Sequence, residues 1–348
     1  MSEGARIRVW PRAVAANFAT MRERGGVAAA VVKADAYGLG APGVVPALLA
    51  AGCNSFFVAR LDEGVSLRTL APKARIFVLD GAPESVASAL TAHRLIPVLG
   101  RLDEIAAWKG GEAALHVDTG MNRLGLPLAD VAEAARLLHG VTPALVMSHL
   151  ACGDDPNSPM NAQQLARFRE ALARLPAAPA SLAASGGVLL GKDYYFDLVR
   201  PGIGLYGGHP QPGHGGNPMS CAVQLTGMVL QVRKIAAGES IGYGASFRAA
   251  RPTTIATIAL GYADGVLRSA GNKAFAVIGG RRAPMVGRVS MDLITLDVTD
   301  VPGVAVGDEA ELFGPALPVD EAASGWGTIT YELLTGLSRR VSRVYMSE

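Results

Sequence analysis

Residues 30–40 read AVVKADAYGLG, an apolar run that ends on Lys33 and is followed by Gly38 and Gly40. The apolar run predicts a buried strand, and the glycines predict a turn directly after it. Burial of a lysine at a strand end lowers the pKa of its amine and makes the amine a nucleophile. Lys33 is therefore a candidate to form a Schiff base with an aldehyde cofactor, and Tyr37 is placed to meet a phosphate. The alternative is a lysine whose stem only covers the strand end.

Strand-like and helical segments alternate outward from this stretch, from residue 27 to about residue 206. The helical pattern is clearest at residues 161–175, where Leu165, Phe168 and Leu172 fall on one face. Eight such units predict an α/β fold with a parallel, TIM-like (β/α)8 barrel, and a doubly wound open sheet is the alternative. The predicted strands are Val27–Lys33, Phe56–Arg60, Arg75–Leu79, Leu95–Leu99, Ala113–Asp118, Leu145–His149, Ser181–Ala184 and Phe196–Arg200.

The polar residues of this region follow the predicted strands, where a parallel barrel carries its active site. Barrels often bind phosphate through the loops after strands seven and eight, and here those loops offer Ser185-Gly186-Gly187 and Gly202-Ile203. An arginine at this mouth suits a carboxylate or a phenolate. The residues at the predicted strand ends are Lys33, Arg60, Asp118, Arg123, His149, Ser185 and Arg200.

The pattern changes after residue 206. Residues 207–218 are rich in glycine and proline and predict a solvated linker, with metal binding by His209 and His214 as the alternative. We therefore predict a barrel domain over residues 1–218 and a mostly β domain over residues 219–348, with a short helix at residues 328–337. The predicted strands of the second domain are Val223–Val232, Thr254–Leu260, Phe275–Ile278, Ile294–Asp297 and Ala310–Phe313.

Composition excludes several classes of function. The chain has 348 residues with 32 basic and 30 acidic side chains and no basic block, so nucleic acid is not expected as a partner. Neither a secretory signal nor an apolar run long enough for a bilayer is evident, and no membrane association is expected. Three scattered cysteines without a CxxC pair argue against disulfides or structural zinc, and they indicate a reducing cytoplasm.

An ordered series of motifs runs nearly the length of the chain. It comprises VVKADAYGLG, VDTGMNRLG, MSHLA, LVRPGIGLYG, GYGASF, GYADG, GRVSMD and a terminal RVY. In this series the sequence resembles the alanine racemases, which are fold-type III pyridoxal-phosphate enzymes. The resemblance implies pyridoxal 5'-phosphate as cofactor, a homodimer, and interconversion of L-alanine and D-alanine that supplies D-alanine for peptidoglycan.

The resemblance also implies site residues. Lys33 would hold the cofactor and act as one base, and Tyr243 of the partner subunit would be the base on the opposite face. Arg200 would face the pyridine nitrogen, Arg123 the phenolic oxygen, and His149 the ring itself. The implied phosphate ligands are Tyr37, Ser185, Gly202, Ile203 and Tyr345, and the implied substrate residues are Arg123, Tyr262 and Met291. No metal site is implied.

Four positions depart from the family pattern. His116 stands where many members carry a carbamylated lysine, and a neutral imidazole cannot supply that negative charge beside Arg123. The other departures are Ala184 for asparagine, Ser290 for cysteine and Ser342 for proline. The alternatives that remain open are a related racemase with another substrate range, a PLP-dependent decarboxylase of the same architecture, and a non-catalytic PLP-binding barrel protein.

Overall fold

The computed structural model describes residues 4–138 and 141–347, which divide into two compact units. The barrel unit comprises residues 14–205 and 209–220, and the β unit comprises residues 4–13, 206–208 and 221–347. Strand β1 (Ala5–Val9) belongs to the β unit because it pairs antiparallel with residues 223–227 and parallel with residues 342–345. The sequence predicted a single boundary after residue 218, whereas the chain begins in one unit, crosses to the other and returns.

The sheet of the barrel unit has seven parallel strands that lie side by side in sequence order. The predicted eighth strand forms single parallel bridges instead of a ladder, from Val199 to Ala28 and from Arg200 to Ala184. These bridges return the sheet to its first strand, whereas a doubly wound sheet would reverse its strand order. The predicted α/β barrel is thus confirmed. Its strands are β2 (Ala30–Val31), β3 (Ser55–Val58), β4 (Arg75–Val78), β5 (Ile96–Leu99), β6 (Ala114–His116), β7 (Leu145–Met147) and β8 (Ala180–Ser181).

Parallel strands covered on both faces read as continuous apolar runs. All four residues of β3 and of β5 are buried, and the rings of Phe57 and Phe77 stack with centroids 4.6 Å apart. The predicted helix at residues 161–175 is observed as α8 (Pro159–Arg174), with proline at its first turn and Leu165 and Phe168 buried. The other helices are α1 (Pro11–Gly25), α2 (Lys33–Tyr37), α3 (Ala41–Ala50), α4 (Leu61–Leu70), α5 (Glu84–Ala92), α6 (Leu102–Ala107), α7 (Val131–Leu137) and α9 (Ser185–Leu190).

The β unit is organised around one long strand, β9 (Val223–Ile235), which pairs with β1, with residues 253–258 and with residues 309–313. Each predicted strand of this unit overlaps an observed one, so the mostly β second domain is confirmed. Trp326 is fully buried against Phe313. The remaining elements are β10 (Ser240–Ile241), β11 (Phe247–Arg248), β12 (Thr253–Ile258), β13 (Phe275–Ile278), β14 (Arg281–Pro284), β15 (Ile294–Asp297), β16 (Glu309–Phe313), β17 (Ser342–Tyr345), α10 (Val319–Trp326) and α11 (Thr330–Thr335).

The predicted linker is only partly solvated. Residues 207–211 are buried and residues 212–217 are exposed, while Pro218 is half-exposed and Met219 is buried. His209 Nδ1 accepts the Gln211 N–H at 3.0 Å, while the Gln211 amide donates to the carbonyls of Gly153 and Gly186. His209 is therefore a buried residue with a hydrogen bond inside the chain, as is typical of a structural role. Over residues 4–138 and 141–347, no group of three or more potential metal ligands occurs and no helix is long and apolar enough to cross a membrane.

Candidate active site

Lys33 lies two residues after the end of β2, at the carboxyl end of the barrel strands. The Val32 N–H donates to the Phe57 carbonyl at 2.9 Å, which continues the sheet up to the lysine. Burial lowers the pKa of the Lys33 amine, and the positive charge of Arg123 lowers it further, against the opposing charges of Glu63 and Asp80. A lowered pKa increases the share of the neutral amine, which is the nucleophilic form.

The two Gly-rich loops meet at one hydroxyl. Ser185 Oγ accepts the N–H groups of Gly202 at 2.8 Å and Gly204 at 3.2 Å. These bonds join the loop after β8 to the loop that follows the bridged residues 199–200. The Tyr37 hydroxyl occupies the space that a Cβ on residue 202 would need, so a larger residue there would displace the Tyr37 side chain. Ile203 is buried and begins the next 3₁₀ turn. The barrel unit thus brings together four of the predicted phosphate ligands, Tyr37, Ser185, Gly202 and Ile203.

Arg200 is buried in the barrel unit, where its guanidinium also donates to the Leu182 carbonyl at 3.4 Å. Its guanidinium donates to Ser181 Oγ, donates to the Ser148 carbonyl at 2.6 Å, and lies 3.4 Å from His149 Nδ1. Burial lowers the pKa of Arg200 to about 9. The side chain therefore still carries its charge near neutral pH, in a fixed orientation.

The two histidines at the barrel mouth are neutral at physiological pH. Burial, aided by the charge of Arg200, lowers the pKa of His149 to about 3 and that of His116 to about 4. The charge of Arg123 also lowers both values, which indicates that this exposed arginine lies near them. Asp118 accepts the N–H groups of residues 120–122 and so shapes the loop that carries Arg123.

Residues that the sequence analysis missed connect these parts. The buried Gln164 donates to Thr119 Oγ1 at 3.1 Å and to the His149 carbonyl at 2.9 Å, and it accepts the Ala151 N–H at 2.8 Å. Thr119 Oγ1 in turn shares a 2.8 Å hydrogen bond with Ser148 Oγ. Gln164 ties the loops after β6 and β7 together. The sequence did contain one indication that Gln164 is buried, which is its position four residues before Phe168 on the apolar face of α8.

The remaining predicted residues belong to the β unit. Tyr243 and Tyr262 each begin a 3₁₀ turn and are 71% and 45% exposed, and Met291 is 54% exposed. The Tyr262 N–H donates to the Ser290 carbonyl at 3.0 Å, and Ala263 donates to the Met291 carbonyl at 2.9 Å, so Tyr262 and Met291 lie on adjoining loops. Tyr345 ends β17, beside Val9 of β1.

An ion-pair cluster fixes the loop of Tyr262. Arg340 contacts Asp264 at 2.8 Å and Asp292 at 2.7 Å, and the other oxygen of Asp264 accepts the Gly261 N–H at 2.8 Å. Side-chain contacts therefore hold the backbone of the turn that carries the exposed Tyr262 ring.

The chain matches two family models, one after the other along its length. The model for the N-terminal domain of alanine racemases covers residues 9–210, and the model for the C-terminal domain covers residues 222–345. Alanine racemase from Rhodospirillum rubrum is 51% identical over 350 residues, which cover 96% of this chain and 93% of that protein. Alanine racemase from Acidiphilium cryptum is 49% identical over 348 residues, with 97% of each chain covered.

A solved structure agrees over the whole length. The crystal structure of alanine racemase from Bartonella henselae with covalently bound pyridoxal phosphate superposes with a TM-score of 0.93 at 39% identity, covering 99% of this chain and all of that one. Fold and site together define a barrel enzyme of the pyridoxal-phosphate-dependent class, and the predicted cofactor is confirmed. The chain belongs to the alanine racemase family and is an isomerase.

Proposed function

We propose that this chain interconverts L-alanine and D-alanine with two bases, Lys33 and, from the partner subunit, Tyr243. The observation that supports the proposal is the contrast between the two candidate bases. Lys33 lies just after the barrel strand β2 and has a lowered amine pKa, whereas Tyr243 is 71% exposed on the β unit. Racemisation needs one group to remove the α-proton and another, on the opposite face, to return one.

The barrel residues fit pyridoxal 5'-phosphate. They include a primary amine of lowered pKa, a Tyr37 hydroxyl that lies where a Cβ on Gly202 would be, and a Ser185 hydroxyl that accepts the N–H groups of Gly202 and Gly204. We assign Tyr37, Ser185, Gly202 and Ile203, with Tyr345, to the phosphate. When bound, the cofactor supplies an electron sink for the α-carbon of the amino acid.

Side chains of the protein then orient the cofactor ring and transfer the protons. Arg200 is charged and can only donate hydrogen bonds, so a ring nitrogen facing it stays unprotonated. Arg123 supplies positive charge for the phenolic oxygen and for the substrate carboxylate, and the neutral His149 packs against the ring. Lys33 takes or returns a proton on one face of the substrate, and Tyr243 of the partner subunit does so on the other. Tyr262 and Met291 line the substrate path.

We further propose a cytoplasmic homodimer that supplies D-alanine for peptidoglycan. The β unit exposes large aromatic and apolar side chains, among them Tyr243, Met291 and Ile329, and a second copy of the chain would cover side chains of this kind. The three free cysteines, Cys53, Cys152 and Cys221, suit a reducing compartment. The role in peptidoglycan rests on the product and on the family resemblance.

Deuterium exchange in the Tyr243→Phe variant tests the two-base assignment. The variant keeps the ring but loses the ionisable hydroxyl, so racemisation should fall about 10²–10⁴-fold. The variant should still exchange the α-proton of D-alanine with D₂O through Lys33, but it should exchange that of L-alanine far more slowly. Chiral chromatography and mass spectrometry measure both quantities, and Tyr194→Phe, which changes a tyrosine of the Lys192–Tyr194 turn, is the matched control.

Equal exchange of both enantiomers by Tyr243→Phe would show that one base serves both faces, which contradicts the proposal. A panel of L-amino acids incubated with the wild-type protein separates the alternatives. D-alanine as the main product supports alanine as substrate, preferential conversion of another amino acid indicates a different racemase, and loss of CO₂ indicates a decarboxylase.

A further inference from the structure

The segment between Lys33 and Tyr37 has an unusual backbone. Four consecutive residues that are not glycine, Ala34 to Tyr37, have φ between 52° and 55°, and together they form one left-handed helical turn. A left-handed conformation costs a residue with a side chain roughly 1–2 kcal/mol, and it normally occurs at single positions. A turn of four such residues therefore requires contacts that hold it.

Glu63, in the first turn of α4, provides such a contact. One carboxylate oxygen accepts the Ala34 N–H at 2.6 Å. The other accepts the N–H groups of Ala59 at 2.8 Å and Arg60 at 3.2 Å. The bond to Arg60 is the usual contact of a glutamate at this position of a helix with the residue that precedes the helix. The bond to Ala34 has no part in starting α4, because it reaches the loop that follows a different strand, β2.

The rest of the turn is closed by its own backbone. Gly38 donates to the Ala34 carbonyl at 2.7 Å and Gly40 donates to the Asp35 carbonyl at 2.9 Å. Asp35 Oδ1 accepts the Ala41 N–H at 2.8 Å, which ties the end of the turn to α3. The start of the turn, directly after Lys33, is held by Glu63. The direction of the amine and the distance from it to the Tyr37 hydroxyl both depend on that start.

We propose that Glu63 is a positioning residue, which holds the left-handed turn and thereby sets the Lys33 amine and the Tyr37 hydroxyl for one cofactor molecule. The inference rests on the proposed roles of Lys33 and Tyr37. A carboxylate suits the task because both of its oxygens accept, whereas a glutamine would offer one acceptor and one donor to N–H groups on two sides. The negative charge also lies beside the Lys33 ammonium and opposes the loss of its proton.

Cofactor titration of the Glu63→Gln variant tests the inference. Apoprotein is titrated with pyridoxal 5'-phosphate and followed by visible absorbance, and kcat/KM for alanine is measured alongside. Loss of one charge-assisted hydrogen bond should weaken cofactor binding and kcat/KM by about 10- to 100-fold. Glu104→Gln is the matched control, because Glu104 also lies in the first turn of a barrel helix, α6, and its Oε2 accepts the Gly100 N–H at 3.1 Å.

A rescue separates positioning from general stability. Ala34→Gly and Ala36→Gly, added to Glu63→Gln, should recover about tenfold or more of the lost affinity, because glycine adopts positive φ without a steric penalty. Glu104→Gln should lower the melting temperature without weakening cofactor binding. Unchanged binding in Glu63→Gln would overturn the inference, and so would a loss that the glycines do not restore or that Glu104→Gln reproduces.

The wild-type measurements keep the two proposals apart. Wild-type protein that binds the cofactor but does not racemise alanine would contradict the proposed function only. The differences in cofactor affinity among the four proteins would still decide the role of Glu63.

Discussion

The barrel mouth and the exposed aromatic side chains of the β unit differ in how far the chain itself covers and binds their polar and aromatic groups. At the barrel mouth, buried polar groups find partners within the chain: Arg200 on Ser148 and Ser181, and Ser185 on two backbone N–H groups. On the β unit, Tyr243 and Met291 expose more than half of their surface. The side chains of the barrel mouth are held by hydrogen bonds within the chain. The exposed side chains of the β unit are of the kind that a binding partner covers.

The largest effect expected from this contrast is the recovery of activity in mixed dimers. Lys33→Ala should abolish racemisation in both directions, because it removes the cofactor attachment and one base. Tyr243→Phe should retain only a small fraction of the wild-type activity. If Tyr243 serves the partner subunit, each mixed dimer has one site with both bases, and random exchange of subunits should restore about a quarter of wild-type activity.

Differently tagged copies of the two variants verify that subunits exchange. A verified exchange without recovered activity would show that each chain uses its own Tyr243. The contrast between a self-contained barrel and a β unit that serves the partner would then be wrong.

A smaller effect is expected when the internal partners of the barrel mouth are disturbed. Arg200→Lys replaces two donor nitrogens by one, so Ser181 Oγ or the Ser148 carbonyl loses its buried donor. The free energy of unfolding should fall by about 2–4 kcal/mol in urea denaturation. Arg251→Lys, which changes an exposed arginine paired with Asp300, should stay within about 0.5 kcal/mol of wild type. Equal losses would mean that the barrel mouth is no better organised than the surface.

The smallest effect is a dependence of stability on pH. The pKa of His116 is lowered from 6.5 to about 4 by burial, so below about pH 6.5 the unfolded chain binds a proton that the folded chain rejects. The contribution of His116 to the free energy of unfolding is fully present above that pH, and it declines as the pH falls toward 4. Between pH 8 and pH 5 the loss should be about 2 kcal/mol.

His116→Asn removes this titration. Urea unfolding at pH 8 and pH 5 should therefore show about 2 kcal/mol less acid sensitivity in the variant than in wild type. An unchanged sensitivity would show that the His116 ring is already well solvated in the folded protein, contrary to a closed barrel mouth.

Local patterns in the sequence were enough for the architecture and for many candidate residues. The apolar runs predicted the barrel strands because burial on both faces of a parallel sheet selects apolar side chains over short stretches. Lys33, Ser185 and Arg200 could be selected because parallel strands end at a common edge, where a barrel carries its chemistry. The family motifs added Tyr243, Tyr262, Met291 and Tyr345, whose roles remain predictions.

Tertiary structure alone decided which distant groups meet. Gln164 joins two loops through contacts made from a helix, Glu63 reaches a turn 29 residues earlier in the chain, and β1 joins a sheet more than 200 residues away. The left-handed turn after Lys33 contains alanines, an aspartate and a tyrosine rather than the glycines that would announce positive φ. Local propensity does not reveal such features, because the free energy that holds them comes from hydrogen bonds between segments far apart in sequence.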